Sequence, residues 1–205
     1  MLDKLLQDFM ILWATIDPIG TMALFAGLTA KLTAEARRKT AFKAIAYASI
    51  VLVGSIGIGQ ILLTSMGISL LSFQLSGGII LFLFGLQMIF SSGSPDAEVD
   101  AEHDIAVFPL AIPATATPGA ILAVILLTDN QAHTVTEQVT TGLVMLSVLL
   151  VTLLLMLLSG KILQVIGTGG ASILTRIMGM ILAALSVEFI IEALKAENWI
   201  TAIPQ

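Results

Sequence analysis

Asp17-Pro18 sets a carboxylate beside a helix breaker inside a long apolar run, and Thr117-Pro118 repeats the device one hundred residues later. Proline in a helix interior removes a hydrogen bond and clashes with the preceding turn, yet it is favoured at the first helical position. Aspartate and threonine are both N-caps. Each dipeptide therefore predicts that one helix stops before it and a half-helix starts at it. Pro109 and Pro113 loosen the stretch before the second break further, and Gly119 allows close backbone approach. The N–H groups after Pro18 and Pro118 and the positive dipole ends suit a carboxylate or another small anion. Asp17, with Thr21, Thr115 or Thr117 nearby, would take an amine, a sodium ion or a coupling proton; the plainer reading is a cap without ligand contact. Ser76-Gly77-Gly78 offers another unwound or close-packed point, and the small residues Gly20, Gly77, Gly78 and Gly119 favour a small substrate. Arg176 reads either as a charge snorkelling to an interface or as a gate and partner for a substrate carboxylate.

The elements that must hold these groups follow from hydropathy. Hydrophobic residues make up 57% of the 205-residue chain and charged residues 11%, where soluble domains carry about a quarter charged. The mean hydropathy is +1.03. A soluble core of this size could not hide so much apolar surface, so the chain belongs in a lipid bilayer. Apolar runs fall at about Leu5–Ala30, Ala44–Met66, Ile68–Phe90, Ile105–Thr128, Val139–Ser159 and Ala171–Leu194. They are too long and too continuously apolar for barrel strands. The expected fold is all-α, with six transmembrane helices in one membrane domain and the first and fourth helices interrupted. The first segment is too long for a cleavable signal, and no small-residue cleavage site follows it.

The two halves, about 1–92 and 105–205, resemble each other across an acidic linker at about 93–104. Besides the two proline devices, Gly78-Ile79-Ile80-Leu81 with Gln87 matches Gly179-Met180-Ile181-Leu182 with Glu188. Three helices per half would make the second half enter the membrane from the opposite side, giving the inverted repeat common among transporters, with the substrate near the midplane. Lys31, Arg37, Arg38, Lys39, Lys43, Lys161 and Arg176 gather on one side, against Lys4 and Lys195 on the other. The basic side is expected in the cytoplasm and both termini outside. Asp96, Glu98, Asp100, Glu102 and Asp104 read as a solvated linker rather than a cation site, and His103 and His133 as solvated loop residues.

Other classes find no support. The net charge of −5 argues against nucleic-acid partners. Cysteine is absent, which removes thiolate chemistry and Cys-based metal sites. No HExxH, no histidine within an apolar run and no P-loop occur. No enzyme, cofactor or metal is expected, apart from Na⁺ or H⁺ as a coupling ion. The expected partners are the lipid bilayer and a small-molecule substrate, and exposed small-residue faces allow a homo-oligomer. A passive channel, an exporter of another small or lipid-linked solute, and a non-transporting scaffold remain alternatives.

The chain resembles the MarC family of six-helix membrane proteins along essentially its whole length. The resemblance rests on Asp17-Pro18-Ile19-Gly20-Thr21, Arg37-Arg38, Ser76-Gly77-Gly78-Ile79-Ile80-Leu81-Phe82-Leu83, Pro109-Leu110-Ala111-Ile112-Pro113, Thr117-Pro118-Gly119-Ala120-Ile121 and Thr175-Arg176-Ile177-Met178-Gly179. It implies ion-coupled transport of small neutral amino acids of the glycine and alanine type across the inner membrane. Thr117 departs from the glycine expected before the proline, and Glu188 stands where glutamine is common.

Overall fold

A computed structural model describes residues 2–90 and 104–196, and within them every regular element is helical. Leu2–Ile16 (α1) stops at Asp17, and Pro18–Leu28 (α2) starts immediately after it. Ala34–Ser65 (α3) and Leu70–Phe90 (α4) follow. Ala106–Thr115 is a wide, irregular turn structure with extended backbone at Phe108 and Ile112. Pro118–Leu127 (α5) comes next. The helical run Val135–Ala196 is divided at Gly167, giving Val135–Gly167 (α6) and Gly169–Lys195 (α7). Among the described residues five helical stretches are long and apolar enough to cross a membrane, with Asp3–Leu28 counted as one, and a sixth if Ala106–Thr115 and Pro118–Leu127, bent by 54°, are taken together.

The charged stretch after α2 is not the loop its hydropathy suggested. Thr33 caps α3 by accepting from the Ala36 N–H, so Arg37, Arg38, Lys39 and Lys43 lie on the first turns of that helix rather than before it. Charged residues depress the hydropathy of a helix end without breaking the helix, which is why the apolar run begins ten residues late. The same effect hid the length of α6, which takes in Lys161. Of the acidic linker, Asp104 is described: it pairs with Lys43 and accepts from the Ala106 N–H, and these contacts hold its carboxyl below the ordinary range. The remaining linker carboxylates and His103 lie outside the described residues. His133 sits in the α5–α6 turn, its N–H bonded to the Asp129 carbonyl.

The chain punctuates itself at corresponding places in its two halves. Thr29 ends α2 and Thr128 ends α5, each hydroxyl donating to the carbonyl four residues back. Thr33 caps α3 and Thr134 caps α6. Gly67 and Gly167 both take φ 68°, a left-handed conformation that glycine adopts without the penalty a Cβ would bring.

Small residues set the packing. Ala41, Ala44, Ala48 and Leu52 form one buried stripe of α3, at the helical three-and-four spacing. They join Leu12, Ile16 and Phe25 with Met145, Val148, Leu149 and Met156 of α6 in one cluster. Gly85 of α4 and Gly179 of α7 meet backbone to backbone, because a Cβ on either would lie 2.8 Å from the carbonyl oxygen of the other. Farther along the pair, a Cβ at Gly78 would lie 3.2 Å from the Ser186 carbonyl oxygen. Such close approach is how membrane helices gain dispersion contacts without a hydrophobic driving force. α4 and α7 therefore run antiparallel in close contact.

Candidate functional site

The site is built from the two breaks. Asp17 takes φ 49° and ψ 69°, left-handed values that cost most non-glycine residues roughly 1–2 kcal/mol and aspartate, with its local hydrogen bond, less. Its N–H still donates to Trp13 O at 3.1 Å, and its carbonyl accepts from Thr21 N at 3.0 Å, so the chain turns there with little loss of backbone bonding. The carboxylate accepts from the Gly20 N–H at 3.1 Å and is 4% exposed. Gly20 is required for this fold-back, since a Cβ there would overlap the Asp17 carboxylate. At the other break Thr117 accepts from the Ala120 N–H at 2.8 Å, the same cap made by a neutral group.

Two hydrogen bonds join the breaks. Thr117 Oγ1 donates to Thr15 O at 2.6 Å, and Thr21 Oγ1 donates to Ala114 O at 2.9 Å. Segments about one hundred residues apart are thereby locked side by side. Thr115 is buried with them and donates back to Leu110 O at 2.7 Å. The Gly77 backbone approaches α5, where a Cβ would lie 2.7 Å from Leu122 Cδ2, and Gly119 is closed over by Leu81. Pro18 is buried. Asp17, Pro18, Gly20, Thr21, Thr115, Thr117, Gly77 and Gly119 thus share one region, with Gly78 on the adjoining face of α4 against α7.

Three candidates stand apart from this region. Ser76 is exposed and bonds its own helix at Phe73 O; it neighbours two buried glycines in sequence but faces away from them. The Pro118 ring is exposed, unlike that of Pro18. Arg176 is exposed on α7. The Gly78–Ser186 and Gly85–Gly179 contacts put it about 15 Å along the helix pair from Gly78, at a 1.5 Å rise per residue. The half-helix amides also differ from expectation: the Gly20 and Ala120 N–H groups are bonded to the chain's own caps rather than open.

Sequence reasoning overlooked Asp8. It is 2% exposed, accepts from Lys4 at 3.0 Å and from the Thr141 hydroxyl at 2.6 Å, and so ties α1 to α6. A lysine four residues before an aspartate at the edge of an apolar run was the available signal. Arg37 was noted for its charge and for the family resemblance, not for its contacts. It donates to Ser159 at 3.0 Å and lies over the Phe25 ring at 5.7 Å, joining α2, α3 and α6.

A cavity of about 740 Å³ opens at the end of the bundle where α1 begins and α7 ends. It runs between α1, α4, α5 and α7, past Met10, Ile11, Gln74 and Leu185. Asp3, Asp129, Glu188 and Glu192 are on its walls, and among the described residues no basic side chain lines it. Gln74 donates to Phe189 O at 3.1 Å, fastening α4 to α7 at the cavity edge.

Comparison with known proteins finds relatives that are membrane proteins. A UPF0056 membrane protein of Buchnera aphidicola is 30% identical over 195 residues, covering 95% of this chain and 98% of that protein. A UPF0056 membrane protein of Archaeoglobus fulgidus is 34% identical, covering 91% of this chain and 90% of its own length. The UPF0056 inner membrane protein MarC of Escherichia coli O1:K1 is 30% identical, covering 90% of each. No solved structure matches the chain. Residues 2–197 match the family described as MarC family integral membrane protein, and the chain belongs to that family.

Proposed function

We propose that this protein is a secondary transporter of small neutral amino acids, glycine- or alanine-like, driven by a proton or sodium gradient across the inner membrane. The observation that carries the reading is Asp17: a carboxylate buried at a helix break, in a left-handed conformation few non-glycine residues adopt, in a segment that crosses the bilayer. Ionisable groups at such depth are expensive and characteristically functional, and strained conformations persist where the surroundings over-determine them.

An inverted repeat supports the reading. Punctuation recurs at Asp17/Thr117, Thr29/Thr128, Thr33/Thr134 and Gly67/Gly167. With Gly78 paired to Gly179 and Gly85 to Ser186, the Gly78–Ser186 contact maps onto Gly179–Gly85. That reciprocity is the mark of a two-fold relation. It makes the breaks equivalent half-helix starts near the midplane, the usual place for a transported substrate.

The two starts are equivalent in shape and unlike in charge. Asp17 already neutralises the positive end of α2, so that break favours the substrate amine or the coupling cation. Thr117 leaves the positive end of α5 uncompensated, so that break favours the carboxylate. A zwitterion satisfies both at once. The basic end of the bundle lies in the cytoplasm, which puts the termini and the acidic cavity outside. The test is counterflow of labelled glycine and alanine into liposomes holding the purified protein, with and without imposed proton and sodium gradients. Saturable, gradient-sensitive accumulation is expected. Absence of flux with either ion and either amino acid would reject this substrate class.

A further inference from the structure

The cavity at the terminal end has counterparts at the other end that are shut. Under the repeat relation, Leu6 and Met10 of its wall correspond to Ala106 and Leu110. Leu6 is 50% exposed and Met10 67%, whereas Ala106 is 1% exposed and Leu110 is fully buried. Parts of the α4 and α5 walls show the same difference, whereas along α7 Leu185 and Glu188 are no more exposed than their counterparts Phe84 and Gln87. Ile11, Leu70 and Leu126 line the cavity partly exposed, while their counterparts Ala111, Ala171 and Ala26 are buried. The closed end is lined with alanine where the open end carries larger aliphatic residues, so helices can meet there without a gap.

Two halves of one plan are thus held in different arrangements, and nothing in a two-fold relation favours one assignment over the other. From this asymmetry we infer that the protein also forms a cytoplasm-facing cavity walled by Ala26, Ala106, Leu110, Ala111 and Ala171, opening as the outer one closes. The inference rests on the repeat and orientation given under the proposed function. It adds which residues become wet in the second state. The four alanines make that cavity's walls smaller-sided than those of the outer one. The exposed Lys43–Asp104 pair at its mouth joins α3 to the start of the irregular segment. The corresponding outer fastening is the Lys4–Asp8–Thr141 group, in which Asp8 and Thr141 are buried. A solvent-exposed pair yields easily, so the Ala106–Thr115 segment is the wall that swings.

The chain contains no cysteine, so single cysteines can report on it directly. Met10→Cys and Leu110→Cys would be treated with a membrane-impermeant maleimide on spheroplasts and on inside-out vesicles. Met10→Cys should label from outside only and Leu110→Cys from the cytoplasmic side only. In the double variant, a bulky maleimide first attached at Met10→Cys should prop the outer cavity open. It should slow labelling of Leu110→Cys about tenfold or more, the shift expected when one of two exchanging states is withdrawn. A Leu110→Cys that stays unreactive from the cytoplasmic side, reacts equally from both sides, or ignores the prop would overturn the inference. The readout needs no substrate. Labelling without amino acid flux would leave the second cavity standing and remove the substrate class, while flux without labelling would do the reverse.

Discussion

Replacing Asp17 separates two roles that one side chain performs. Asparagine keeps the oxygen that accepts from the Gly20 N–H and is as good an N-cap as aspartate. It also tolerates the left-handed backbone found at this position. Asp17→Asn should therefore fold with stability within about 0.5 kcal/mol of the parent, because cap and backbone preference are both retained. Alanine loses the cap, about 1 kcal/mol, and must adopt φ 49° with an unassisted Cβ, roughly another 1–2 kcal/mol. Asp17→Ala should be less stable by roughly 2–3 kcal/mol on these two counts. Both variants should lose gradient-driven accumulation, because neither carries the charge. Thermal unfolding in detergent reads the first quantity and liposome counterflow the second. If Asp17→Asn accumulates substrate like the parent, the carboxylate is only a cap and the coupling role fails. If it melts as low as Asp17→Ala, the derivation from the cap is wrong.

Four further outcomes are expected. Gly20→Ala forces the Asp17 carboxylate off its cap and should cost about 1–3 kcal/mol, as overpacking does; circular dichroism melts would show it, and a neutral result would refute the fold-back. Gly85→Leu should abolish the α4–α7 contact and the yield of monodisperse protein, whereas Gly54→Ala, with open space around it, should leave both unchanged. Asp8→Ala leaves the buried Thr141 hydroxyl and the part-exposed Lys4 without their partner and should destabilise by about 1.5–3 kcal/mol in a thermal melt, as loss of a hydrogen bond to a charged group does. Asp104 has its carboxyl held low by Lys43, so the pair's contribution is present above the ordinary carboxylate range and lost as pH falls through the depressed value. Being exposed, it should also fade with salt, which melts at several pH values and ionic strengths would follow.

The breaks were legible because capping and proline geometry are local: Asp17-Pro18 and Thr117-Pro118 contain in four residues nearly all the information that places two helix starts. The glycine contacts of α4 were legible as small residues but not by partner, since whether Gly77 meets α5 and Gly78 meets α7 depends on helices far away in sequence. Ser76 stands apart from Gly77 and Gly78 for the same reason, as adjacency along a chain does not fix which face of a helix a side chain occupies. Asp8 went unread because its significance lies in Thr141, 133 residues on. Hydropathy found the apolar stretches among the described residues and misjudged where α3 begins and where α6 ends, since lysine and arginine ride there on a continuing helix.

The Gly85–Gly179 contact also has a bearing on the order in which the molecule is made. Synthesis delivers α4 well before α7, so the groove at Gly78 and Gly85 enters the bilayer with its eventual occupant unbuilt and only lipid to fill it. The first half cannot finish packing until the last helix arrives. It follows that the halves should be separable: a chain cut in the linker and expressed as two pieces presents the same groove and the same ridge, and the pieces should find each other in the membrane.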